Sequence, residues 1–414
     1  MNALAEIRER ASRHQACGEY VEAEQCLRGA ATLIESRSGP DHEDLACLLN
    51  DLADARYAQG KYDKDTEDLY HRAADILAKA NGPDHPDVAN VLNNLAALHQ
   101  VRGDYREAEA LSRRSASILE DLFGTKREVL ADLDEDTHMV LRQIHQQSLT
   151  HLATALRAQG RYGEAEPLLS RALAITEETF GPRHPEVATS LNNLGVLYKY
   201  WGRYDEASAL YRRARGIVDE VLGEDAPQLA SILYNLAGLA HARDRYTEAE
   251  PLCRRALALQ EATLGTEHPD VAVTQSTLAA ILDGQGRYDE AEKLYRRALA
   301  TYESAFGTEH PDVALNLNNL GAIAESRGNV VEAEALYRQS LGLREKILGR
   351  EHPQVATSLN NLAMLYRNAQ NYHEASRYFQ RALAILEKTC GTKHPNTVAC
   401  RENHAALLRH RVAS

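Results

Sequence analysis

The sequence repeats itself every 42 residues. Gly286, Glu290, Ala291, Leu294, Tyr295, Gly307, His310, Pro311, Val313 and Ala314 return 42 positions later as Gly328, Glu332, Ala333, Leu336, Tyr337, Gly349, His352, Pro353, Val355 and Ala356. A period of this length means a stack of supersecondary units, none of which buries its apolar face alone, so that each packs on its neighbours. The 414 residues exceed what one hydrophobic core usually organises, and the period selects an array over unrelated domains. Such a stack presents an extended surface suited to binding.

Residues 311–349 show what one unit does. Pro311 suits the first turn of a helix, where its missing N–H costs nothing, and His310 precedes it in the loop. Val313, Leu317, Leu320 and Ile323 follow the 3 and 4 spacing of a helix A that is expected to end near Arg327. Gly328 and Asn329 make a turn, and helix B is expected over Val331 to Ile347, closed by Gly349. Three positions stay small from unit to unit. One holds Ala23, Ala108, Ala165, Ala207, Ala249, Ala291, Ala333 and Ala375, a second Ala172, Ala214, Ala256 and Ala298, a third Ala153, Gly195, Ala237 and Gly321. Small residues there let the helices approach closely, and larger ones would overpack the contact.

These small sites, the Gly-x-Tyr turn and the helix B aromatic resemble the tetratricopeptide repeat. The His-Pro-x-Val-Ala and Leu-Asn-Asn-Leu strings at a 42-residue period are similar to the kinesin light chain subgroup, over nearly the whole chain. The resemblance implies an all-α, right-handed superhelical solenoid that binds proteins or peptides along a concave groove. Turns at Gly18, Gly60, Gly103, Gly160, Gly202, Asp244, Gly286, Gly328 and Gln370 give nine antiparallel helix pairs, with a capping helix after them. A motor light chain would carry apolar heptads for pairing ahead of its repeats. Here the repeats begin close to Met1, so that role is not expected.

The period breaks twice. Between Gly60 and Gly103 the string Asp63-Lys64-Asp65-Thr66-Glu67 adds one residue and drops the small alanine, which predicts a loosened or bulged second unit. Between Gly103 and Gly160 about 15 residues enter near Thr125 to Val140, flanked by Val129 and including Asp132, Asp134, Asp136 and His138. The expected organisation is three repeats over 1–124, an acidic insert and helix extension over 125–141, six repeats over 142–394, and a capping helix with its tail over 395–414.

Composition narrows the partners. A formal net charge of -13 argues against a nucleic-acid backbone, whose binding needs a basic face. Six cysteines without a CxxC pair read as reduced and mostly buried. Met1 to Arg10 lacks the apolar run of a signal peptide, and no apolar stretch is long enough to span a membrane. A cytoplasmic protein with no membrane or nucleic-acid partner is expected.

Asn94, Asn193, Asn235, Asn319 and Asn361 share one helix A position, which the resemblance puts in the groove. An amide donates and accepts together, so it can hold the backbone of an extended peptide. The other reading is that these amides hold helix to helix. Asp51, His151 and Thr277 interrupt the series. A second groove position carries Arg157, Lys199, His241, Asp283, Glu325 and Arg367, and its basic members could attract acidic side chains or simply be solvated. Tyr198, Tyr200 and Trp201 either form an aromatic pocket or pack, Tyr198 being at a packing position.

His42, His85, His184, His268, His310, His352 and His394 lie a repeat apart, too far for one metal ion, and read as loop or capping residues. Asp134, Asp136 and His138 lack calcium-loop spacing. No phosphate-binding loop, dinucleotide fingerprint, HExxH or GxSxG string is present. No metal, cofactor or catalytic residue is expected. The function read from the sequence is a non-enzymatic scaffold or adaptor holding an extended segment, an acidic one if the basic groove residues engage it. The alternatives are a ligand- or peptide-gated regulator whose superhelix changes curvature, and an enzyme or accessory protein of a biosynthetic pathway.

Overall fold

The structure is a computed structural model that describes residues 2–124, 130, 133–392 and 394–413. It divides into two compact units, one running to Arg157 and resuming over Arg161–Glu224, the other made of Ala158–Gly160 and the chain from Asp225 on. The first contains α1 (Asn2–Ala16), α2 (Tyr20–Ser38), α3 (Glu43–Ala58), α4 (Lys64–Asn81), α5 (Pro86–Arg102), α6 (Tyr105–Gly124), nearly all of α7 (Glu135–Ala158), α8 (Tyr162–Phe180), α9 (Pro185–Tyr200) and α10 (Tyr204–Leu222). The second contains α11 (Leu229–His241), α12 (Tyr246–Leu264), α13 (Pro269–Gly284), α14 (Tyr288–Phe306), α15 (Pro311–Ser326), α16 (Val330–Leu348), α17 (Pro353–Asn368), α18 (Tyr372–Thr389) and α19 (Pro395–Ala413). Among the described residues these are nine antiparallel pairs and a final helix, as the period implies. Of the insert, residues 125–129, 131 and 132, with the flanking Val129 and the acidic Asp132, lie outside the described residues.

Six of the A helices and the final helix begin on the same device. The imidazole Nδ1 of His42, His85, His184, His268, His310, His352 and His394 accepts from the backbone N–H two residues on, at 3.0 to 3.3 Å. This takes up one of the unpaired donors of the first turn. The histidines are therefore helix caps. In the sixth repeat Ala226 stands at that position, and α11 starts only at Leu229.

The small sites seat large rings. A Cβ on Gly195 would lie 2.6 Å from the Tyr211 ring, and one on Gly321 2.8 Å from that of Tyr337. Both tyrosines are buried, so the glycines leave room for the helix B aromatic. Where the second small site is serine, its hydroxyl finds a helix A carbonyl. Ser115 donates to Ala89 and Ser340 to Ala314.

Successive repeats are also tied by a carboxylate. The glutamate after the first small site takes hydrogen bonds from the next repeat: Glu67 from Arg102, Glu109 from Arg161, Glu250 from Gln285 and Arg287, Glu292 from Arg327, Glu334 from Tyr366. Burial opposes the charge of Glu250, yet bonds from Arg254, Gln285 and Arg287 hold its carboxyl down at about 2.

The second repeat is not loosened. Its extra residue sits in the turn, α4 starts two residues later than the other B helices, and Thr66 fills the alanine site at 0% exposure. Asp63 caps the helix through the Thr66 N–H at 3.0 Å and takes two bonds from Arg56. Arg56 also reaches Glu24, which Gln59 and Lys61 bond as well. A polar cluster closes what the missing alanine would have left open.

Candidate functional site

In the first unit two cations of the groove position come together. The Arg157 guanidinium lies 4.6 Å from the centre of the Tyr200 ring, and the Lys199 ammonium 5.9 Å from it. Tyr200 is 56% exposed. Burial, then the charge of Arg157, lowers the pKa of Lys199 from its ordinary value. Among the described residues neither cation has a carboxylate within ion-pair distance. Two like charges held together without a counter-charge favour an anion from outside.

The reason for the mismatch lies in helix B. Tyr337 donates to Glu325, twelve residues before it, at 3.0 Å. Tyr70 likewise donates to Asp54 at 2.6 Å. In the fifth repeat the residue twelve before Tyr211 is Lys199, a donor, and the buried Tyr211 hydroxyl has no partner among the described residues. Repeat five thus lacks the acceptor that Tyr337 finds in repeat eight.

Tyr198 and Trp201 do not form a pocket with Tyr200. The Tyr198 hydroxyl donates to Glu166 at 2.6 Å, Trp201 stacks on Tyr162 with ring centres 6.0 Å apart, and Arg203 lies over both rings. Only Tyr200 of the three is left exposed and unspent.

The asparagine series is discontinuous. Asn94 donates to Asn50 at 3.0 Å and Asn361 to Asn318 at 3.0 Å, so these amides join one helix A to the previous one. The half-buried side chains of Asn193 and Asn319 make no hydrogen bond to the described residues, and Asn235 is half-buried. In the second unit the position that corresponds to Arg157 and Lys199 holds Asp283 and Glu325 as well as Arg367. Burial raises the pKa of Asp283, Glu325 accepts from Tyr337 and Asn368, and Arg367 donates to Asn368 at 3.5 Å.

The acidic insert residues have other tasks. Asp134 caps α7 through the Thr137 N–H at 2.7 Å, and His138 Nε2 lies 2.6 Å from the Leu130 carbonyl oxygen. Among the described residues no group of three His, Cys, Asp or Glu side chains could hold a metal ion, and no helix is long and apolar enough to cross a membrane.

A family model described as tetratricopeptide repeat matches residues 3–64, 65–121, 146–220, 228–304, 278–346, 312–388 and 354–411. The chain belongs to the tetratricopeptide repeat family. A second model of the same description matches residues 193–262. No curated protein matches the chain. Among solved structures, nearly identical repeats from Podosopora anserina, described as those of a kinesin light chain, share 28% identity and cover 50% of this chain and 98% of theirs, at a TM-score of 0.41. BtubC (BKLC) from P. vanneervenii shares 24% identity, with 57% and 92% covered and a TM-score of 0.44. A Rap protein complexed with Competence and Sporulation Factor shares only 14% identity but covers 95% of this chain and 100% of its own, at a TM-score of 0.60, a likeness of fold.

The sequence groups Arg157 and Lys199 as basic members of one position near Tyr200. What it does not show is that both cations lie against the Tyr200 ring and that the Tyr211 hydroxyl is left without an acceptor among the described residues, although comparing Lys199 with Glu325 points to the latter.

Proposed function

We propose that this tetratricopeptide repeat protein is a non-enzymatic, cytoplasmic scaffold that holds an acidic peptide or protein segment at Arg157, Lys199 and Tyr200. The observation that carries this reading is the pair of uncompensated cations against one exposed ring. A carboxylate entering there would gain charge-assisted hydrogen bonds worth about 1.5–3 kcal/mol each. The same reading gives Asn193, on the same helix of the first unit as Lys199, the role of bonding the segment's backbone.

Affinity capture with the full chain, identification of the bound segment and calorimetric titration of that segment as a synthetic peptide test this. The segment should be rich in Asp and Glu, and Arg157→Ala with Lys199→Ala should weaken it by about 100-fold. A neutral or basic segment, or unchanged affinity in the double variant, would refute the assignment.

A further inference from the structure

The residues that enter between the third and fourth repeats reshape the edge of the first unit. α7 runs 24 residues where α9 and α15 run 16, so its first two turns have no counterpart in those helices. Between these turns and the loop joining α4 to α5 lies a cleft of about 570 Å³. Leu122, Leu133, Val140 and Ile144 give it an apolar wall, and Asp84 of the facing loop and Asp87 of the first turn of α5 line it opposite. Its size is that of sites which take a drug-sized ligand or a few side chains, about 300–1,000 Å³.

Two properties say what would fill it. Val140 is 50% exposed, and the adjoining Met139 is exposed as well, although Leu141 on the same turns already supplies the core contact. Exposed apolar surface of this kind beyond the needs of the repeat marks a contact site. The charge of the rim then selects the partner. Among the described residues Asp84 makes no ion pair, Asp87 has only its own cap His85 at 3.4 Å, and neither Lys nor Arg lines the cleft. Arg114 fixes the loop from its Pro83 carbonyl, at 3.4 Å.

We propose that this cleft docks a short segment of a partner protein that presents leucine-like side chains flanked by Lys or Arg. An acidic segment would be repelled by Asp84 and Asp87, and a wholly apolar one would strip both carboxylates of water without replacing it. The cleft therefore asks for the opposite charge from the Arg157 and Lys199 station. One chain would carry two docking sites of opposite preference.

The test is a fluorescence anisotropy titration of the full chain with labelled acetyl-KLLRLL-amide and acetyl-ELLELL-amide. The basic peptide should bind at least about 10-fold tighter than the acidic one, and Val140→Asp and Asp84→Lys should each weaken it by about 10-fold or more. Both substitutions lie at exposed positions, and circular dichroism checks the fold of each variant. Arg157→Ala with Lys199→Ala should leave this binding unchanged, which separates it from the acidic-segment reading. No binding of the basic peptide, equal binding of the acidic one, or indifference to both cleft substitutions would overturn the proposal.

Discussion

Arg56 Nη2 donates to both carboxylate oxygens of Asp63, at 3.0 and 2.8 Å, and the guanidinium is almost wholly buried. The single acid therefore both caps α4 and neutralises a cation sealed under the second repeat. Asp63→Ala should destabilise the protein by about 2–4 kcal/mol, since the cap goes and the buried charge loses a partner. Asp63→Asn, which can still cap, should cost distinctly less. Urea denaturation of the two variants checks the ranking, and equal losses would argue that capping contributes little.

The seventh repeat has a polar fault in its core. Gln275 stands where Leu191, Leu233, Leu317 and Leu359 stand in other repeats, and Thr301 where Ile175, Ile217, Leu259, Leu343 and Ile385 do. Both are buried, and among the described residues neither the Gln275 amide nor the Thr301 hydroxyl finds a partner. Gln275→Leu combined with Thr301→Ile should raise stability by about 2–4 kcal/mol. A midpoint that does not move in a denaturant titration would mean that this core is satisfied in another way.

Lys199→Glu is expected to act oppositely on fold and on binding. It restores the acceptor that Tyr337 finds in Glu325, so the Tyr211 hydroxyl gains a bond worth about 1 kcal/mol. It also reverses one charge of the anion station. Thermal melting should shift upward while affinity for an acidic segment drops by about 100-fold or more. A variant that lost stability together with binding would count against the exchange of roles between the two repeats.

Protons should attack the seventh and eighth repeats through His310. Burial pushes its imidazole down to about 4, below the ordinary value near 6.5. The unfolded chain then takes up the proton first, so the stability tied to neutral His310 is complete above about pH 6.5 and is lost as pH falls through about 4. His310→Asn keeps a capping side chain but removes this titration. The melting temperature of the natural chain should fall, relative to the variant, by an amount corresponding to at most about 3 kcal/mol across that window. Asp312, pushed up to about 6 by burial, is present in both proteins and largely cancels in the comparison. Parallel curves would show that the cap tolerates its proton.

The helices were legible because their signals are local and recur. His310 and Pro311 mark the start of α15, Gly349 follows the end of α16 at Leu348, and the small sites name the contacts between helices. The second repeat misled because a missing alanine reads as a gap, while Thr66, Asp63 and Arg56 fill it with polar atoms from three places in the chain. The candidate site was legible as residue types and not as an arrangement. Asn94 and Asn193 are identical letters at identical positions, yet Asn94 is engaged by Asn50 and the Asn193 side chain bonds to none of the described residues. That difference is set by what the previous repeat offers, which no single repeat shows.

The glutamates that join neighbouring repeats carry a consequence for anyone who would cut and reorder this array. Glu109 is answered by Arg161, Glu250 by Arg287 and Gln285, and Glu334 by the Tyr366 hydroxyl. Most repeats thus hold half of a lock whose other half is written in the successor, and the halves differ along the chain. The modules look interchangeable by their letters, but a transplanted one would arrive without its key.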